Sequence, residues 1–208
     1  LSHMSVQRIY RRIRFGKPIV IVSGLPRSGT SMMMKMLESG GMPIVSDDLR
    51  QADEGNPQGY YELERVKELD KGGDTSWLRA ARGSVVKIIA YLLRYLPQDL
   101  NYRVVFMQRD LAEVLASQSK MLVSRGEPSD TEDERMRRLY VGHLAQSRRL
   151  LSDRPCFESV EIHYRDAIAD PEEAARRVAD FLGQELNISD MAAAVNPDLY
   201  RNRAAPAP

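Results

Sequence analysis

Residues 19–31 have the sequence Ile-Val-Ile-Val-Ser-Gly-Leu-Pro-Arg-Ser-Gly-Thr-Ser and decide the fold of this 208-residue chain. The apolar, β-branched start predicts a buried strand over residues 18–23, and the Gly, Pro and Ser residues after it predict a tight turn. A helix is expected over residues 29–39, before Gly40-Gly41. Such a turn directs backbone N–H groups and the positive end of the helix dipole into one concavity, which predicts a site for a phosphate-like anion.

This turn differs from the ATP-binding loop of kinases, in which a lysine and a hydroxyl residue directly follow the second glycine. Here Thr30-Ser31 follow Gly29, and the basic residue, Arg27, precedes it. The arrangement argues against ATP chemistry with a bound Mg²⁺. The alternative is an ordinary strand–helix turn without a ligand, because short motifs also occur by chance.

Composition indicates a water-soluble globular protein. The chain is 43% hydrophobic and 28% charged with a net charge of +1, which predicts no general attraction to nucleic acid. Cys156 is the single cysteine, so an intramolecular disulfide is excluded, in keeping with a reducing compartment. No apolar run approaches the length of a transmembrane helix. We therefore expect a cytoplasmic protein with no transmembrane segment.

The chain divides into three segments. Residues 1–16 form a basic segment, expected to be solvated, and its first four residues resemble the remnant of a purification tag. Residues 17–203 form a single domain, and residues 204–208 are expected to be a disordered tail. The oligomeric state is not predictable from these features.

Strands alternate with helices along the domain. After the first strand and helix, further strands are expected near residues 43–45, 85–89, 102–107 and 159–163, and further helices near 62–71, 110–125, 131–151 and 170–183. This alternation predicts an α/β fold of three layers with a mainly parallel central sheet. Because ligands gather at the carboxyl ends of parallel strands, the glycine loop, Lys87 and Arg109 are expected at one edge.

A second anion site is predicted after the strand at residues 102–107. Arg109 follows that strand, and Ser117 lies two turns into the next helix, about 10 Å along its axis. A long guanidinium and a hydroxyl at this spacing can meet at one phosphate. The alternatives are a surface salt bridge of Arg109 with Asp110 or Glu113 and a plain helix-face hydroxyl for Ser117.

The two motifs together resemble the sulfotransferases, enzymes that use 3′-phosphoadenosine 5′-phosphosulfate (PAPS). The resemblance implies the sulfotransferase form of the P-loop-like fold, with Arg109 and Ser117 on the 3′-phosphate. Residues 162–171 and 178–183 are similar to the family's late strand, turn and helix. The segment of Arg201 and Arg203 resembles the basic segment that closes over the 3′-phosphate, although a solvated tail is an alternative. The 5′-phosphosulfate is implied to lie on Pro26, Arg27, Ser28, Gly29, Thr30 and Ser31.

The resemblance implies an in-line transfer of a sulfuryl group from PAPS to a hydroxyl or amine acceptor of unknown class, with adenosine 3′,5′-bisphosphate as product. No metal is implied, and the sequence has no cluster with metal-ligand spacing. Arg27 is implied to stabilise charge in the transition state, since a guanidinium does not readily give up a proton. Lys87 resembles an active-site lysine of the third strand, the alternative being a solvated strand-end lysine.

The general base is not evident. Cytosolic relatives have a histidine two residues after the strand lysine, where this chain has Ile89. Other branches have a carboxylate after the second strand, where Asp48 matches. Glu62 is the rival candidate, because its loop could fold over the acceptor. A buried carboxylate with a raised pKa could serve, although both residues could equally be solvated.

Two other functions remain open at this level. One is an ATP-dependent small-molecule kinase on a related fold, against which the missing Gly-Lys-Ser/Thr counts. The other is a non-catalytic nucleotide-binding protein, which the isoleucine at position 89 leaves possible.

Overall fold

The structure is a computed structural model that describes residues 6–47, 61–124 and 133–200. The strands in these ranges are β1 (Ile19–Gly24), β2 (Ile44–Val45), β3 (Val85–Lys87), β4 (Tyr102–Gln108) and β5 (Phe157–His163). The α-helices in these ranges are α1 (Val6–Phe15), α2 (Thr30–Ser39), α3 (Trp77–Ala80), α4 (Leu111–Ser124), α5 (Asp133–Asp153), α6 (Tyr164–Ala169), α7 (Pro171–Leu182) and α8 (Ile188–Ala193). Short 3₁₀ helices cover Glu64–Lys71, Ala90–Tyr95 and Pro197–Leu199.

The strands form one parallel sheet in the order β2-β3-β1-β4-β5. The central strand β1 has β3 on one side and β4 on the other, so its carboxyl end is a switch point, where ligands generally bind in folds of this kind. We call the edge at which Gly24, Lys87 and Gln108 end β1, β3 and β4 the carboxyl rim. We call the opposite edge, where these strands begin, the amino edge. The predicted α/β class and parallel sheet are confirmed.

The two faces of the sheet support separate cores. Ile19 and Ile21 of β1 pack with residues of β3, β4, α5 and the first two 3₁₀ helices. The alternate residues Val20 and Val22 pack on the other face against the methionines of α2 and against α7 and α8. Every residue of β1 is buried, as expected of a parallel strand covered by helices on both faces. The three-layer prediction is therefore confirmed.

Several predicted boundaries differ from the structure. The third strand ends at Lys87 instead of residue 89, because Ile89 begins a 3₁₀ turn. The helix predicted near residues 62–71 is a 3₁₀ helix over Glu64–Lys71. The last strand starts two residues earlier than predicted, at Phe157. Short segments of this kind follow the packing around them more than their own propensity.

The basic N-terminal segment contains a helix that the sequence did not predict. In α1 the Nε atom of Arg8 donates to Glu158 at 3.0 Å and its Nη2 atom to the carbonyl of Phe181 at 2.8 Å. Phe15 is buried in the core. Helix α1 is thus attached to the domain through Arg8 and Phe15, although most of its side chains are exposed. The expected tag remnant and tail lie outside the described residues. No helix in the described ranges has the length and apolarity to cross a bilayer.

Candidate functional site

The backbone of the loop between β1 and α2 has positive φ angles, which residues with a side chain rarely adopt. Gly29 has a φ of 99°, and a Cβ placed there would lie 2.3 Å from Cδ2 of Tyr164. Gly24 has a φ of 148°, with a Cβ position 2.7 Å from the carbonyl oxygen of Met107. Arg27 itself has a φ of 67°, a left-handed conformation that is uncommon for a residue with a side chain. The loop is therefore held tightly between β4 and Tyr164.

This loop presents hydrogen-bond donors that lack partners. The amide of Met33 makes the first bond of α2, to Gly29 at 3.1 Å, so the first-turn amides before it have no acceptor within the helix. Close by, the buried side-chain atoms Ser23 Oγ, Ser28 Oγ and Gln108 Nε2 make no hydrogen bond within the described ranges. Buried polar groups are normally satisfied, so these three atoms are candidates to bind a polar ligand at the carboxyl rim.

Arg27 and Ser117 are direct neighbours. The Nε atom of Arg27 donates to Oγ of Ser117 at 3.1 Å, and Ser117 is buried on the first half of α4. The sequence placed Ser117 beside Arg109. In the structure its hydroxyl instead contacts the arginine of the first loop, and this links the two motifs to each other.

Lys87 reaches the same loop from β3. Its Nζ atom donates to Oγ of Ser31 in the first turn of α2 at 3.1 Å. This contact places an ammonium group beside the helix N-terminus. Lys87 ends β3, and Arg27 and Arg109 follow the ends of β1 and β4. Because these strands are parallel neighbours, the three cations lie together at the carboxyl rim.

Arg109 is buried at the centre of this arrangement. Its side chain is 7% exposed, Nη1 donates to the carbonyl oxygen of Arg27 at 3.1 Å, and Nε donates to Glu113 at 2.9 Å. Its guanidinium lies over the ring of Tyr164, 4.5 Å from the centroid, and 5.4 Å from that of Tyr200. The alternative of a salt bridge with Glu113 is confirmed, but its expected surface location is wrong, because both side chains are buried.

Tyr164 connects the loop to this arginine. Its ring contacts the position of Gly29, lies under Arg109 and meets Tyr200 edge to face, with centroids 5.3 Å apart. Burial raises the pKa of Tyr164, and this outweighs the opposing effect of the Arg109 charge. The phenol is therefore neutral at physiological pH, and its ring face is available to the cation.

Glu113 is the residue that the sequence analysis missed as part of the site. A carboxylate in the first turn of a helix commonly caps the amides there, and the amide of Glu113 donates to Oδ1 of Asp110 at 3.2 Å. The carboxylate of Glu113, 2% exposed, instead accepts from Arg109, from the hydroxyl of Tyr200 at 2.7 Å and from Arg165 at 3.4 Å. An Arg-x₃-Glu spacing across the start of α4 was the available signal.

Of the two candidate bases, Glu62 lies within the described residues, beside the end of β2. The carbonyl of Glu62 accepts from the amide of Asp47 at 3.2 Å, directly after β2, and its carboxylate is 3.5 Å from Nζ of Lys67. The carboxylate of Asp47 caps the following 3₁₀ helix through the amide of Glu64 at 2.6 Å. Asp48 lies outside the described residues, as do Arg201 and Arg203. The described residues contain no cluster of three or more His, Cys, Asp or Glu side chains able to hold a metal.

Comparisons with solved structures place this fold among bacterial sulfotransferases. The sulfotransferase domain from the curacin biosynthetic pathway is 15% identical with a TM-score of 0.53, over 92% of this chain and 93% of that one. The domain from the Synechococcus PCC 7002 olefin synthase is 17% identical with a TM-score of 0.53, over 92% and 90%. Sulfotransferase STF1 from Mycobacterium tuberculosis H37Rv is 16% identical with a TM-score of 0.56, over 90% and 73%. At these identities the likeness concerns the fold.

The family assignment comes from the sequence. A search of curated protein sequences gave no match. A sequence model described as the sulfotransferase family matches residues 67–187, more than half of the chain. The matched region contains Lys87, Arg109, Glu113 and Ser117. The chain therefore belongs to the sulfotransferase family.

Proposed function

We propose that this protein is a PAPS-dependent sulfotransferase that transfers a sulfuryl group to a hydroxyl or amine acceptor. The observation that carries the proposal is the hydrogen bond from Arg109 to the carbonyl oxygen of Arg27. Through it, Arg109 contacts the loop that carries Arg27, and this contact supports placing the two proposed anion sites at one rim. A nucleotide with phosphates on both its 5′ and 3′ positions requires such a pair of sites.

The residues present fit this donor. For the 5′ end, the loop offers Arg27 and the unsatisfied hydroxyl of Ser28. The first-turn amides of α2 and Lys87 from β3 add further donors beside it. For the 3′ end, we assign Arg109 and Ser117. We also propose that Arg201 and Arg203 close over this end. In support, Tyr200, the residue before them, already donates to Glu113 beside Arg109.

The bound donor would supply an activated sulfuryl group. The protein's own contribution is positive charge: Arg27 and Lys87 lie where negative charge grows on the leaving phosphate. Glu113 and Tyr164 hold the Arg109 guanidinium in one orientation, so little reorganisation is needed on binding. Because this charge comes from side chains and amides, we propose that turnover needs no metal. The single buried cysteine is compatible with the cytoplasmic location that we propose.

The acceptor must lose a proton, and we propose Glu62 or Asp48 as the base. Glu62 lies next to the end of β2, and the register of β2 with β3 brings that end level with Lys87. Asp48 directly follows Asp47 in the same segment. Glu62→Gln and Asp48→Asn separate the two: only loss of the true base should remove the acidic limb of the pH dependence of kcat.

Nucleotide binding tests the donor assignment directly. By calorimetry, adenosine 3′,5′-bisphosphate should bind more tightly than adenosine 5′-monophosphate, and ATP with Mg²⁺ should bind weakly. Arg109→Ala should cancel the advantage of the 3′-phosphate, leaving the two adenosine nucleotides equal. Arg79→Ala is the matched control, because Arg79 forms an exposed pair with Asp99. A preference for ATP with Mg²⁺ would favour the kinase alternative.

Turnover tests the activity. With PAPS labelled on sulfur, a panel of phenols, sugars, lipids, amines and peptides should yield at least one labelled product. EDTA should leave the rate unchanged. Bisphosphate binding without transfer to any acceptor class would favour the non-catalytic alternative, and a requirement for added metal would contradict the proposed metal independence.

A further inference from the structure

Helix α1 packs on the domain through its basic side. Arg8 bonds Glu158 and the carbonyl of Phe181, Arg11 is half-buried, and Phe15 at the end of the helix enters the core. Helices on the surface of a globular protein normally bury an apolar face and expose a charged one. This helix has the reverse orientation.

The apolar residues of α1 consequently face away from the domain. The exposed fractions are 83% for Val6, 44% for Ile9, 56% for Tyr10 and 81% for Ile13. At 3.6 residues per turn these four side chains form one stripe about 100° wide, on the side opposite Arg8, Arg11 and Phe15. We call these four residues the α1 stripe.

Positive charge borders the α1 stripe on both sides. Helical geometry places Arg12 next to Ile9 on one side and Arg14 next to Tyr10 on the other, and both arginines are exposed. Although the whole chain carries a net charge of only +1, α1 contains four arginines and no acidic residue. An apolar centre between arginines is the pattern of a helix that lies in the interface of an anionic bilayer.

We propose that the α1 stripe binds the surface of a membrane containing anionic lipids, with its apolar side chains among the headgroups. Two observations favour lipid over protein. A second copy pairing through the same stripe would bring Arg12 and Arg14 close to like charges. In addition, four side chains cover a few hundred Å², less than the roughly 800 Å² per partner of a standard protein interface.

The position of α1 determines which way the bound protein faces. The carbonyl of Gly16, just after α1, accepts from Asn101 before β4, and Glu158, which binds Arg8, lies near the start of β5. The helix is therefore at the amino edge. A protein bound through α1 would direct its carboxyl rim away from the bilayer, toward the aqueous phase.

Co-sedimentation of the full chain with vesicles tests this proposal. Vesicles of phosphatidylcholine with about one third phosphatidylserine should bind the protein at low salt, whereas pure phosphatidylcholine should bind it at least ~10-fold more weakly. The double variant Ile9→Ser, Ile13→Ser should lose at least ~10-fold in binding. Leu139→Ser, Val141→Ser is the matched control, since it removes two exposed apolar residues from α5 and should bind like the wild type.

A second variant separates charge from apolar contact. Arg12→Gln, Arg14→Gln should weaken binding and reduce its dependence on salt, with unchanged circular dichroism. Equal binding of the wild type and the Ile9→Ser, Ile13→Ser variant would overturn the proposal, as would no binding to anionic vesicles. Analytical ultracentrifugation gives a further test. If the Ile9→Ser, Ile13→Ser variant lost a dimer that the wild type forms but bound vesicles as the wild type does, the proposal would be overturned, because the α1 stripe would then bind a second copy.

Discussion

The two arginines at the carboxyl rim are held in different ways. Arg109 is 7% exposed, paired with a buried carboxylate and covered by two tyrosine rings. Arg27 has a left-handed backbone in a glycine loop, and its Nε atom donates to a neutral hydroxyl. The comparison indicates that Arg109, which we propose for the 3′-phosphate, also supports the folded framework, whereas we propose that Arg27 acts mainly on the leaving phosphate. Substitutions should therefore separate stability from activity.

The largest effect is expected at Glu113. Glu113→Ala leaves the Arg109 guanidinium buried without its carboxylate and should lower the free energy of unfolding by about 3–5 kcal/mol, measured by urea denaturation. Glu113→Gln, which keeps an acceptor for Tyr200, should cost less. The control Glu172→Ala breaks an exposed pair with Arg176 and should change stability by under ~1 kcal/mol. If Glu113→Ala and Glu172→Ala lowered the free energy of unfolding equally, the buried pair of Arg109 would not support the fold more than an exposed pair does.

Arg27→Ala should affect turnover instead of stability. Losing a charge positioned for the transition state should reduce kcat by about 10²–10³-fold, and the urea midpoint should stay close to that of the wild type. Arg27→Lys should restore part of the rate, because the charge returns without the planar fork. A large loss of stability with unchanged kcat would reverse the roles we give the two arginines.

Gly29 connects both parts of the site and should show an intermediate effect. Gly29→Ala combines a φ of 99° with a contact of 2.3 Å to Tyr164 and should cost about 1–3 kcal/mol of stability. Adding Tyr164→Leu should reduce the cost of the alanine. The control is Gly142→Ala, in open space within α5, which should stabilise by about 0.5–1 kcal/mol. If Gly29→Ala and Gly142→Ala changed the free energy of unfolding in the same direction, the tight packing of the loop around Gly29 would be contradicted.

The smallest effect is expected at Ser117. Ser117→Ala removes one hydroxyl next to Arg27, so affinity for adenosine 3′,5′-bisphosphate should fall by about 1 kcal/mol, roughly 5-fold, in calorimetry. Ser152→Ala removes an exposed hydroxyl from α5 and serves as control. Unchanged affinity would mean that Ser117 only supports Arg27 and does not contact the ligand.

Local patterns predicted much of the fold and part of the site. The β-branched run at residues 19–22 and the glycine turn after it predicted β1, its loop and α2. The helix expected near residues 170–183 is α7, and its N-cap Asp170 accepts from the amide of Glu173 at 3.0 Å. These elements were predictable because their signals lie within a few residues of one another.

Other features had no local signal. The basic run at residues 8–14 indicated a solvated segment, yet Arg8 packs against Glu158, 150 positions away. Glu113 was expected only as a surface partner of Arg109, but its buried carboxylate also accepts from Tyr200, 87 positions away. In both cases a contact distant in sequence overrode a local preference.

The sequence by itself determined the α/β class, the glycine loop between β1 and α2, and the positions of Arg27, Lys87 and Arg109 at or after the ends of their strands. Tertiary structure alone decided that Arg109 is buried against Glu113 and two tyrosines, that Ser117 contacts Arg27, and that α1 turns its apolar side outward. The physical reason is the distance along the sequence over which each interaction acts. Strand, turn and helix preferences act between near neighbours, whereas burial and ion pairing depend on which distant segments the sheet brings together.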